Sequence, residues 1–596
     1  MNTKIIGAKG YDDETYFKLE PYRPIESRDN HNLSQQLIRR FRSLKDEYKL
    51  EESFSTINNV IAYIEGVENT TDVFKVVSDY EKILSQINEF LGFIDTDRTG
   101  YSNLMTKGNR LLLVTDLKST NERLEYNLLD HDKFINLTSL MDTRIRHENR
   151  KPSLEEYFAR QLAFEMIARR GYGEAPIVPW GNSGFRAIQT QASITDPGLG
   201  HLTGTVKSLD YINGTNVHIE YLERGEETDR ELVEPYRLPD LATIAKVKME
   251  VGKDTSVSSY VGRPMFEDTF EHSFVKTVHN TVGVCSAIFM NGLSECKIAI
   301  ERMTTTQAIK YMKAVSANVV RDPYLQVLAA AFCINYPITD DRPEVMEKNH
   351  GKPVVVKDRM AIARLGIELA KAGNFEKVTS DGTANWYPSD PIMEQLGYKN
   401  ALTLVHEAHE NGLLTYFSAG FRFKHLPDIV LTATDGIGLG GAQILRYMDS
   451  SNGYHGPFKA QNIKKILDIN QKAAVSTLGQ GGIVLSRLDR MKYEGSITES
   501  EDTKREALYL AMMNKNEKVV KNLLEKLRDV ILLPIDLMHP LASWAQRLID
   551  RPESIVFSKL NDQQREEIVS ELEKHLEHHD YEEISDTIEE LHALIK

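Results

Sequence analysis

Apolar residues recur at three- and four-residue steps through residues 31–170, in segments such as NLSQQLIRRFRSLKDEYKL and TDVFKVVSDYEKILSQINEFLGFI. That period predicts amphipathic helices packed as a bundle or collar. Turn signals separate them, as at Gly66–Asn69 and Asp95–Gly100. Around 172–200 the chain becomes rich in Gly and Pro and poor in helix formers, the composition of a connector or functional loop. Residues 201–240 then alternate polar and apolar positions, with Asn213–Gly214 as a hairpin turn. This predicts a small SH3-like β unit.

From about 270 to 490 short apolar runs alternate with amphipathic helices. The candidate strands are Val282–Phe289, Lys297–Glu301, Gln326–Asn335, Val354–Lys357, Lys377–Ser380, Leu413–Ser418, Asp428–Thr432 and Gly482–Leu485. Strands alternating with helices imply a mostly parallel sheet, and a number close to eight fits a (β/α)8 barrel. Beyond 490 the helical period returns in REALYLAMMNKNEKVVKNLLEKLRDVILL. The expected fold class is therefore α/β, a TIM-like barrel core with helical regions at both ends. The expected divisions are 1–171 helical, 172–245 connector and SH3-like β unit, 246–490 TIM-like domain, and 491–596 acidic helical region.

Composition narrows the function. The 596 residues carry 72 Lys+Arg against 87 Asp+Glu, a formal charge of −15. That balance, with no dense basic patch, argues against a nucleic-acid partner or an anionic membrane surface. No run of about 18 apolar residues suggests a membrane span, and the beginning of the chain has no signal-like apolar core, so a cytoplasmic location is expected. Three cysteines without CxxC spacing suggest neither a disulfide framework nor structural zinc. The two histidines of His406–Glu407–Ala408–His409 are three apart and lack the HExxH spacing, so no metal site is expected.

Chemistry concentrates in Lys377–Arg446. A strand-like run ends at Asp381, where a parallel α/β fold puts its active-site groups, so Asp381 is a candidate acid or base; an Asx-turn or helix cap is the alternative. The next strand ends in Ser418–Ala419–Gly420, and the one after leads into Asp435–Gly436–Ile437–Gly438–Leu439–Gly440–Gly441, with a helix expected from about Ala442. Glycines let backbone amides approach an anion, which makes Ser418, Gly420, Gly436, Gly438, Gly440 and Gly441 the candidate phosphate site. Gly436, Gly438 and Gly441 also satisfy G-x-G-x-x-G, but no acidic strand end follows about twenty residues on, so no dinucleotide cofactor is expected.

The run LVHEAHENGLLTYFSAGFRFKHLPDIVLTATDGIGLGGAQ resembles the closing strands of the (5-formylfuran-3-yl)methyl phosphate synthase-type TIM barrel. The shared elements are Glu407–Ala408–His409, Gly412–Leu413, Ala419–Gly420, His425–Pro427 and Gly436–Gly441. The resemblance spans residues 377–446 and implies condensation of phosphorylated metabolites through a lysine Schiff base and strand-end carboxylates. Asp381 fits one such carboxylate; Lys357, with Asp358 beside it, is the nearest match for the lysine. The expected function is an enzyme of the carbon–carbon lyase or condensation type, with a phosphorylated small molecule as substrate and homo-oligomerisation through the helical regions. The alternatives are a regulatory or assembly protein that senses a phosphorylated ligand, and a nicotinamide-dependent oxidoreductase.

Overall fold

The computed structural model describes residues 256–384, 390–439, 444–448, 455–536 and 539–594, with shorter pieces upstream at 105–106, 110–111, 185, 190–195, 214–217, 237–239, 241 and 244. The helical region expected before residue 171 and the hairpin turn at Asn213 lie outside these residues, as does most of the 201–240 unit.

Eight parallel strands close into a barrel: β1 Gln191–Thr195, β2 Gly214–Val217, β3 Ser256–Tyr260, β4 Glu295–Ala299, β5 Val327–Cys333, β6 Lys377–Asp381, β7 Leu414–Ser418 and β8 Gly436–Gly438. Each pairs with its sequence neighbour, and β8 pairs with β1. Among the described residues, helices follow the later strands: α1 Phe270–Met290, α2 Thr305–Asn318, α3 Arg359–Ala372, α4 Ile392–Glu410 and α5 Leu426–Leu431. Local chemistry sets where they begin. Thr269 accepts the His272 amide ahead of α1, and Thr304 and Gln307 form a capping box on α2.

Several strands differ from the sequence expectation. Val282–Phe289 is the second half of α1, Asp428–Thr432 lies in and just after α5, and Gly482–Leu485 lies within α7 Thr477–Glu494. Each is a helix face buried on the core, and a short apolar run cannot be told from a strand by period alone. Val354–Val356 is a strand, but it pairs antiparallel with Ile338–Asp340 outside the barrel. The barrel instead takes β1 from the stretch read as a connector, β2 from the stretch read as the small β unit, and β3 from Ser256–Tyr260.

Strand alternation sorts the barrel residues into two sets. Val257, Cys296, Ile298, Leu328, Ala330, Phe332, Val378, Phe417 and Ile437 join the core shared with the helices. Their neighbours face the lumen, and the pairing register stacks these in levels contributed by alternate strands. Val327 and Leu414 lie at the floor, in a small apolar cluster with Tyr416. Above the floor the even-numbered strands contribute Gly214, Glu295, Lys377 and Gly436; then Asn216, Lys297, Thr379 and Gly438; then Ala299 and Asp381. The odd-numbered strands interleave Ser258, Ala329 and Tyr416, then Tyr260, Ala331 and Ser418.

After β8 the chain makes a turn at Ile444–Leu445 and a short hairpin, Arg446–Met448 with His455–Phe458, where a helix was expected. Helix α6 Ala460–Ala474 follows, then α7, α8 Glu499–Met513, α9 Glu517–Lys526, α10 Pro540–Ile549, α11 Asp562–Glu577 and α12 Tyr581–Leu594. Helix α7 is glycine-rich because it is approached closely on two sides. A Cβ on Gly481 would meet Val520 Cγ1 at 2.7 Å, and one on Gly482 would meet the Leu431 carbonyl oxygen at 2.6 Å.

The C-terminal helices form two further apolar clusters, one joining Leu402 and Leu431 to α7–α9, the other within α10–α12. A buried ionic network ties the clusters together. Arg547 of α10 reaches Glu494 at 2.7 and 2.8 Å and Asp536 at 2.8 Å. None of the described helices is long and apolar enough to cross a membrane.

Candidate functional site

The C-terminal ends of barrel strands carry the active sites of this architecture, and the lumen here leads to that end through charged residues. Lys377 is fully buried, with its Nζ 2.5 Å from Glu295 Oε2 and 4.3 Å from the centre of the Tyr416 ring. Burial draws its ammonium down to about 7 against the pull of Glu295, and the nearby charge of Lys297 acts in the same direction as burial. Lys297 sits one level higher, 4.6 Å from the Tyr260 ring centre and 5.5 Å from that of Tyr416. The two ammonium groups thus both lie close to the Tyr416 ring, which attracts each of them while their like charges repel.

At the mouth, Asp381 ends β6. Its Oδ1 accepts the Thr383 amide at 2.8 Å and the Thr383 hydroxyl, which closes an Asx-turn, and its Oδ2 accepts the Ser418 hydroxyl at 2.6 Å. Asn335 braces the loop beyond by donating to the carbonyls of Gly382 and Thr383, and Arg359 at the start of α3 holds Asn335 in turn at 2.9 Å. Asp381 therefore fills the alternative role the sequence offered, a turn, and still faces the lumen with its second oxygen on Ser418.

The structure brings together only part of the sequence-predicted site. Asp381, Ser418 and Gly438 are consecutive across β6, β7 and β8, since Ser418 pairs with both other positions. Gly438 has to be small: a Cβ there would lie 2.8 Å from the Tyr416 hydroxyl and 3.1 Å from Ser418 Cβ. Gly420 lies two residues past β7 with φ 68°, after Ala419 at φ 96°, a left-handed conformation unfavourable for alanine. Gly436 is not at the mouth but low in the lumen, beside Tyr416. Gly436–Gly438 is a strand and not a loop, and Gly440 and Gly441 lie outside the described residues.

Lys357 and Asp358 are exposed, in the connection after β5, and Asp358 caps α3 by accepting the Ala361 amide at 2.9 Å. The lumen lysines, Lys297 and Lys377, were missed by the sequence reading. Their signal was a charged residue at alternate positions of a short strand, ECKIA and KVTSD, which a barrel tolerates only toward its lumen.

A second cluster lies outside the barrel, between α4, α7 and α8. One ligand atom from each of His406, Glu410 and Asp489 falls within 4.8 Å of the others, a spacing that suits a metal. Arg505 already supplies the positive charge there, with Nη1 2.5 Å from Glu410 Oε1 and 3.0 Å from Asp489 Oδ1. His406 Nδ1 is 3.0 Å from Asp489 Oδ2, and its ring stacks on Tyr509 at 4.1 Å. This donor set fits an ionic clamp holding three helices. Its neighbour His409 bridges Asp435 at 2.7 Å and Ser486 at 3.0 Å, and Asp435 also accepts the Thr415 amide. Asp435 immediately precedes β8, at the barrel end opposite the mouth, where such groups serve stability. Arg487, Asp489 and Arg490 lie within α7, and Arg487 donates to the carbonyls of Val530, Ile531 and Leu533.

No protein-family model matches the chain, and no curated protein matches it. Among solved structures it is similar to a variant of GH5_18 from Streptomyces cattleya, crystallised in complex with Manb1-4GlcNAc. The identity is 9% and the TM-score 0.30, over 50% of this chain and 92% of that one. The class of this protein is set by its own strand pairing, a closed eight-stranded parallel α/β barrel of the TIM type.

Proposed function

We propose that the protein is an enzyme that makes or breaks a carbon–carbon bond in a phosphorylated small metabolite bound at the mouth of the barrel. The observation that carries this reading is the charge inside the lumen. Glu295, Lys297, Lys377 and Asp381 face a space that packing alone would fill with branched aliphatic side chains. Burying charge costs stability, and such groups gather where chemistry uses them.

Asp381 is the acid or base, oriented by Ser418 and Thr383. A lumen lysine supplies the amine that condenses with the substrate carbonyl, releasing water; Lys297 and Lys377 suit this role better than the exposed Lys357. Ser418, Gly420 and Gly438 belong to β7, β8 and the turn after β7, the part of such barrels that commonly holds a phosphate.

The test is a thermal-shift screen against inorganic phosphate, C3–C6 sugar phosphates and nicotinamide dinucleotides. A ligand at one hundred times its Kd adds about 2.7 kcal/mol of stability, readily seen in Tm. A triose or pentose phosphate should shift Tm in the wild type and much less in Ser418→Ala, and it should be turned over. No shift with any phosphate ends this reading. A shift without turnover replaces it with a ligand sensor.

A further inference from the structure

We infer that the lumen holds a ligand subsite one step below the mouth, at the level of Asn216, Lys297 and Thr379, which takes the hydroxy-carbonyl end of a small metabolite. The inference rests on the preceding reading for the route by which that metabolite arrives. The three side chains come from β2, β4 and β6, and the pairing register brings them to one level with Gly438 of β8. Gly438 gives its space at this level to Tyr416, whose hydroxyl lies 2.8 Å from where a Cβ would stand, and the other three positions carry polar ends. The residues directly above and below are also small on one side, Ala331 and Ala329 of β5.

Two polar atoms at this level point to a ligand. Asn216 is 1% exposed and Thr379 0% exposed, yet Asn216 Oδ1 and Thr379 Oγ1 have no hydrogen-bond partner among the described residues. Folded proteins seldom leave such atoms unmatched, because burial removes the water that would have satisfied them. An acceptor amide oxygen and a hydroxyl beside an ammonium match the polar inventory of a hydroxy-aldehyde or hydroxy-ketone. A substrate hydroxyl donates to Asn216 Oδ1, Thr379 accepts from or donates to a second oxygen, and Lys297 faces the carbonyl oxygen. Lys377 lies a level deeper and is held by Glu295, so a ligand descending from Asp381 and Ser418 meets Lys297 first. A phosphate on the same molecule would remain at the mouth.

An unmatched hydroxyl gives an unusual test, because removing it should not weaken the ligand-free protein. Thr379→Val keeps the side-chain shape. Its Tm without ligand should equal or exceed that of the wild type, while affinity for dihydroxyacetone phosphate should fall about tenfold or more. Asn216→Leu should act in the same direction. The probes are dihydroxyacetone, dihydroxyacetone phosphate and inorganic phosphate, each titrated against wild type and both variants.

A ligand-free Tm that drops by several degrees in Thr379→Val would give the hydroxyl a structural role and overturn the subsite. So would unchanged affinity in both variants, or binding by neither hydroxy-carbonyl probe beyond that of phosphate alone. In the last case a phosphate response would leave the mouth reading standing. If dihydroxyacetone binds in a Thr379-dependent way and the phosphate adds nothing, the subsite stands and the phosphate reading fails.

Discussion

Ser418 donates its hydroxyl to Asp381 Oδ2 at 2.6 Å, so the last residues of β6 and β7 are joined by a side-chain bond as well as by the ladder that pairs them. The bond fixes the carboxylate at the mouth, with its other oxygen occupied by Thr383. Replacing Asp381 with Asn keeps the volume and removes the carboxylate to which the proposed function gives the proton transfer. Turnover of a hydroxy-carbonyl phosphate should fall by about 100-fold or more, the usual share of a positioned acid or base. Calorimetry should show the fold intact, and Ser418→Ala, which only frees the carboxylate, should have the smaller kinetic effect.

Gly438→Ala should destabilise the barrel by about 1–3 kcal/mol, the common cost of forcing a methyl group into a packed site. The reason is local: the new Cβ meets the Tyr416 hydroxyl at 2.8 Å. Tyr416→Phe in the same chain removes that oxygen and should recover part of the loss. Denaturant midpoints of the two single variants and the double variant measure the coupling, and strictly additive losses would contradict the contact.

The clamp on α4, α7 and α8 depends on Asp489, which is 1% exposed and bonded to both His406 and Arg505. Asp489→Ala removes the buried carboxylate that both groups share and leaves Glu410 as the anion between them, and should cost up to about 3–5 kcal/mol. Since Arg505 provides the cationic charge, adding a strong chelator to the wild type should leave Tm unchanged. A fall in Tm that a divalent cation reverses would instead make this cluster a metal site.

His406 gives the same clamp a pH dependence. Burial opposes its charged form, but the Asp489 hydrogen bond and charge, with Glu410 behind them, hold the imidazole above its ordinary value of 6.5. A raised value in the folded state means the folded protein keeps the proton longer than the unfolded chain. The stabilisation is therefore complete below about pH 6.5 and is lost as pH rises through the raised value. The Tm gap between wild type and His406→Gln should narrow as the buffer goes from pH 6 to pH 8. A constant gap would show that the ring acts through packing alone.

The sequence revealed the barrel through its second half. KVTSD and LLTYFS read as strands with polar ends, and both are strands whose last residues meet at the mouth. The first half was less legible, because Ser256–Tyr260 and Gly214–Val217 are lined with small polar lumen residues and lack the apolar runs of buried strands. Strand β8 was hidden for a related reason. It begins and ends on glycine, of which Gly438 leaves room for Tyr416, so its three residues look like a turn, while the apolar DIVLT before it is part of a helix packed on α7. The site was half legible. Asp381 and Ser418 stood at strand ends, but Lys297 and Lys377 gained meaning only from the register that turns them inward, and no local pattern encodes that register.

The alternating levels of the lumen also divide the barrel's tasks between two sets of strands. Among the described strand residues, the charged ones turned into the lumen, Glu295, Lys297, Lys377 and Asp381, stand on even-numbered strands, while the aromatic walls Tyr260 and Tyr416 stand on odd-numbered ones. Reactivity and shape are thus separately adjustable. Enlarging Ala331 would alter which molecules fit without replacing a charged residue, and exchanging Lys297 or Thr379 would alter the polar groups between walls that stay in place. A lumen partitioned in this way can change its width or its charge by changing one set of strands at a time.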